Sequence, residues 1–61
     1  MDLYTAVGIA EGFIPSASAE EELQAWQLLV DSGTAWTLQG WFGRTARDLI
    51  EQGLISAPER H

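Results

Sequence analysis

The chain has 61 residues, 46% of them hydrophobic, with nine acidic residues against three arginines, no lysine and no cysteine. That length allows one domain, and that apolar content excludes a disordered chain. The lack of cysteine excludes disulfides, thiolate metal sites and cysteine nucleophiles, and a net charge of −6 disfavours phosphate backbones and anionic membranes as partners.

The first predicted helix runs from Leu3 to Glu11. Asp2 can cap its start, and Gly12 can take the left-handed conformation that ends it. Leu3, Ala6, Val7 and Ala10 share one face, with Ile9 and Phe13 to one side. Asp2 also stands where a secretion signal would need positive charge, and no apolar run approaches a membrane span. A soluble, cytoplasmic protein is expected.

Pro15 breaks the first pattern, and Ser18 followed by Glu21 forms a capping box that opens a second helix, Ala19 to Asp31. Glu20, Glu21 and Glu22 fall in its first turn, where the helix dipole favours negative charge, so the acidic run is ordinary helix-start chemistry. Ala19, Leu23, Trp26 and Val30 make its apolar stripe, and Glu20, Gln24, Gln27 and Asp31 its wet side. Ser32-Gly33 ends it.

With Thr34 as cap, a third helix is predicted from Ala35 to Gln52, closed by Gly53 and a contact of Leu54 with Leu49. Leu38, Phe42, Thr45, Ala46 and Leu49 form its core face; Thr37, Arg44, Asp48 and Glu51 face solvent. Gly40, Gly43 and Arg47 form a third stripe that begins at Trp36, and Trp41 lies where the core and wet faces meet. Glycines inside a helix cost about 1 kcal/mol each relative to alanine. Their presence predicts that another segment lies close across them, with the first helix the natural candidate. The alternative is a groove left open for a partner. Tryptophan beside arginine is a favoured composition for an interaction surface, which makes Trp36, Gly40, Trp41, Gly43, Arg44 and Arg47 the candidate docking residues.

Catalytic chemistry has no foothold. The single histidine is His61, the last residue, and there is no Ser-His-Asp set, metal-ligand cluster, phosphate-binding loop or dinucleotide fingerprint. No cofactor or metal is expected. Arg44 and Arg47 invite a helix-turn-helix reading with the third helix on DNA. Asp48 and Glu51 follow them at four-residue spacing, however, and a chain of charge −6 has a poor electrostatic footprint for nucleic acid.

Three segments, "YTAVGIAEGF", "AWQLLVDSGTAW" and "LQGWFGRTARDLIEQG", resemble a family of very short uncharacterised proteins of bacteriophages and related mobile elements. The resemblance runs from Tyr4 to Gly53. It implies an origin in a phage or plasmid and a site of action in the host cytoplasm. It carries no activity and no site residues.

The sequence therefore predicts an all-α, compact three-helix domain, with the C-terminal helix central and longest. Residues 1–53 form its core and 54–61 a frayed tail, within which Pro58 prevents any continuation of the helix. Its expected function is non-enzymatic: a small acidic binding or regulatory protein that docks to a host or viral protein or to a copy of itself. DNA binding through the third helix is the alternative, and mimicry of nucleic acid by the acidic surface is a third reading.

Overall fold

A computed structural model describes residues 1–57. Its order is α1 (Leu3–Glu11), α2 (Ala19–Asp31), a single 3-10 turn (Thr34–Trp36) and α3 (Gly40–Glu51), with no strand among the described residues. The three-helix, all-α architecture expected from the sequence is present.

Local capping sets the first two helices. The Asp2 carboxylate accepts the Thr5 N–H at 2.8 Å. At the other end Gly12 adopts φ 84°, and the Phe13 N–H reaches back to the Gly8 carbonyl at 2.9 Å. This is the Schellman closure, which satisfies carbonyls the last turn would leave free. Ser18 Oγ accepts the Glu21 N–H at 3.2 Å, and the Glu21 carboxylate returns to the Ala17 N–H at 3.1 Å, one residue earlier than an ideal capping box.

The central element is α2, which packs against α1 on one side and the 3-10 turn on the other. Packed also by aromatic rings of α3, it buries Ala25, Trp26, Leu29 and Val30, a wider face than the predicted stripe, whereas Ala19 is exposed. Ala6 of α1 and Ala25 of α2 are both fully buried, and Ile9 lies in the same core. Leu3, placed on the apolar face by its spacing, is exposed.

The predicted third helix is two elements. Its first turn is the 3-10 turn, where Thr37 N–H and Thr37 Oγ1 both bond the Thr34 carbonyl, at 3.0 and 2.9 Å. The chain then runs through Leu38 and Gln39, and α3 starts at Gly40 without a side-chain cap. At 12 residues α3 is shorter than α2 at 13, so the C-terminal helix is neither central nor longest. The break buries Ala35 and leaves Gly40 at the first helical position, where its lack of a side chain costs less than in an interior turn.

Beyond α3 the core continues. Gly53 takes φ 77°, Leu54 N–H bonds the Leu49 carbonyl at 3.0 Å, and Ile55 is buried. Gln27, assigned to the wet side of α2, donates to the Ser56 carbonyl at 2.9 Å and accepts the Ser56 N–H at 2.7 Å. Ile55 and Ser56 are thus held in place, although both fall in the frayed tail expected from 54; residues 58–61 lie outside the described ones.

Candidate functional site

The break before α3 turns the 3-10 turn back over the helix that follows. A Cβ added at Gly43 would meet Trp36 Cε3 at 3.5 Å and the Ala35 carbonyl oxygen at 3.9 Å. The segment lying across Gly43 is therefore Trp36, and not the first helix as expected. Gly40 has only the Arg44 guanidinium near it, at 3.9 Å from an added Cβ. A closer approach occurs at Gly8 of α1, where the Ile14 side chain fills the place of an added Cβ, with Ile14 Cγ1 2.7 Å from it.

Trp36, Gly40, Gly43, Arg44 and Arg47 line one open groove of about 250 Å³. Five of the six candidate residues thus converge. Trp36 stays 47% exposed while resting on Gly43, and both guanidinium groups face solvent. Arg44 and Arg47 reach the same groove because they are three apart on α3, on the face that Gly40 and Gly43 leave low. An exposed indole flanked by two cations, with backbone as the floor, suits an apolar group and a carboxylate from a partner.

The sixth candidate, Trp41, belongs elsewhere. Its ring stacks on Phe42, centroids 3.9 Å apart, and meets Trp26 edge-on at 6.3 Å. Trp26 also packs against Phe42 at 5.8 Å. This aromatic cluster joins α2 to α3 and takes Trp41 from the docking surface into the packing.

A second groove, of about 330 Å³, lies on α1 and the bend after it. Tyr4, Val7, Gly8, Glu11, Phe13 and Ile14 line it. Tyr4 and Phe13 are 85% and 80% exposed, more than any other aromatic of the described chain. Helical spacing places Phe13 beside the apolar face of α1 and gives Tyr4 no part in a predicted site. The available signal was that Tyr4 lies off the Ala6–Ile9 face. No group of three His, Cys, Asp or Glu among the described residues is arranged to hold a metal ion. No helix there is long and apolar enough to cross a membrane.

Residues 16–60 match a family described as a domain of unknown function, DUF7417. The chain belongs to this family. Every residue of the Trp36 groove falls inside the matched span, whereas α1 and the lining of the second groove fall outside it. No curated protein and no solved structure matches the chain.

Proposed function

We propose that this is a non-enzymatic binding protein that docks to another protein through the Trp36 groove. The observation that carries the reading is the half-exposed Trp36, laid on Gly43 and flanked by Arg44 and Arg47. A tryptophan costly to leave in water, a low glycine floor and two guanidinium groups are the makings of an interface anchor. The resemblance to short phage and mobile-element proteins extends the proposal: the protein acts in a host cytoplasm on a host or viral partner, or on a copy of itself.

The DNA-binding reading rests on the same arginines and has less support. They are the only basic side chains among the described residues, in a chain of charge −6. Mimicry of a phosphate row has only the Glu20–Glu22 cluster, whose Glu21 is already engaged in capping α2.

Capture of partners from host lysate by wild type and by Arg44→Ala/Arg47→Ala tests the proposal, since both side chains are exposed and their loss leaves the core intact. The expected result is a partner retained by wild type and lost by the double variant. Equal capture by both would refute the groove. A mobility shift on duplex DNA that weakens steeply with salt and disappears in Arg44→Ala would establish the alternative.

A further inference from the structure

We infer that the Trp36 groove of one copy of this chain receives the N-terminal aromatic groove of a second copy. The inference rests on the docking reading above and names the partner. The two grooves share no residue and carry opposite charge. The only charged side chain lining the N-terminal groove is Glu11, and the only ones lining the Trp36 groove are Arg44 and Arg47. Each groove also presents exposed aromatic surface, Tyr4 and Phe13 on one and Trp36 on the other.

Two copies of charge −6 repel one another at long range. At physiological ionic strength that repulsion is screened over about 8 Å, so charges at the contact decide where association is tolerated. The Trp36 groove gathers the basic side chains of the described chain, and is the surface where a second copy's carboxylate meets attraction. The Glu20–Glu22 turn is acidic too, but the groove beside it, lined by Glu20, Leu23, Gln24, Gln27, Leu54 and Ile55, has no aromatic surface. Tyr4 and Phe13 offer ring faces on which guanidinium groups and an indole can stack, with Glu11 as counter-charge. Joining the grooves covers Tyr4, Phe13 and Trp36 together, the three most exposed aromatics of the described chain. If both unlike contacts form within one pair the product is a closed dimer; if only one forms, longer oligomers grow.

Sedimentation equilibrium over a wide concentration range, with exchange of charges between chains, tests this. Glu11→Arg places a cation at the end of α1, where the helix dipole favours it, so folding is retained. Arg44→Glu/Arg47→Glu alters only exposed positions. Circular dichroism checks both folds. Wild type is expected to rise in mass with concentration, each variant alone to stay a single chain, and their equimolar mixture to associate again. Glu20→Arg, which reverses charge at the other acidic groove, is expected to associate like wild type. A wild type that remains a single chain throughout, or a mixture that does not associate, would overturn the inference. So would a Glu11→Arg chain that associates undiminished, or loss of association in Glu20→Arg. A single-chain wild type that still loses its lysate partner on Arg44→Ala/Arg47→Ala overturns this inference alone. Equal lysate capture by that variant defeats the groove itself.

Discussion

Replacing Gly8 by alanine adds one methyl group to the middle of α1, and the surrounding packing sets the sign of the effect. The Gly8 carbonyl accepts both the Phe13 and the Ile14 N–H, at 2.9 and 3.1 Å, so the chain after α1 folds back over this residue. Ile14 then fills the space a Cβ would need, with Cγ1 at 2.7 Å and Cδ1 nearer still. Alanine improves helix propensity by up to about 1 kcal/mol. Displacing Ile14 from its half-buried place against the core costs about 1–3 kcal/mol. The net expectation is a loss of up to about 2 kcal/mol, and each 1 kcal/mol lowers the melting temperature by roughly 4–8 °C in a domain of this size. Gly43 gives the opposite sign. Its added Cβ meets Trp36 at 3.5 and 3.7 Å, which is ordinary contact, so propensity dominates and Gly43→Ala gains up to about 1 kcal/mol. This reverses the loss that close packing by α1 would have produced. Thermal melts followed by circular dichroism, with urea titrations for free energies, measure both. In an Ile14→Ala background, where the obstacle is gone, Gly8→Ala should become stabilising. A Gly8→Ala protein that melts at or above wild type, or a Gly43→Ala protein that melts below it, would refute the reasoning.

Trp26 is 4% exposed and touches both Trp41 and Phe42, so Trp26→Ala should cost about 3–5 kcal/mol, close to the whole stability of so small a domain; a cooperative native-like melt in that variant would contradict the packing. Ile55→Ala should destabilise by about 2–5 kcal/mol in urea titrations, whereas the same change in a frayed tail would do nothing. The Thr5 hydroxyl and amide hold the Asp2 carboxyl below the usual carboxylate range. The cap therefore contributes fully above the unfolded carboxylate's pKa and is lost as pH falls through the lowered folded value, so Asp2→Asn should lower stability at neutral pH and flatten the acid limb, with urea titrations of variant and wild type converging at low pH.

The limits of α1 and α2 are legible in the sequence because their causes are local. Asp2 with Thr5, Ser18 with Glu21, and Gly12 with Gly8 all bond within a few residues of each other, and such bonds form wherever the chain goes. Trp26 as core, the solvated Arg44–Asp48–Glu51 face and the Gly40–Gly43–Arg47 stripe of α3 follow from helical spacing in the same way. Periodicity fails where it must choose between two acceptable partners. A continuous helix from Ala35 satisfies the local pattern, but the chain breaks at Thr37–Gln39, burying Ala35 and laying Trp36 on Gly43. Trp41, at the margin between two faces, was assigned by rings that reach it from Trp26 fifteen positions away. Ser56 is held by Gln27 of α2, across 29 residues, and Ile55 beside it is buried. Hydrogen bonds that close within one turn are properties of a short peptide, so the sequence by itself determines where α1 and α2 begin and end. Which apolar surface is covered, and which is left open as at Tyr4, Phe13 and Trp36, depends on the distant segments that arrive to cover it, and only the tertiary structure decides that.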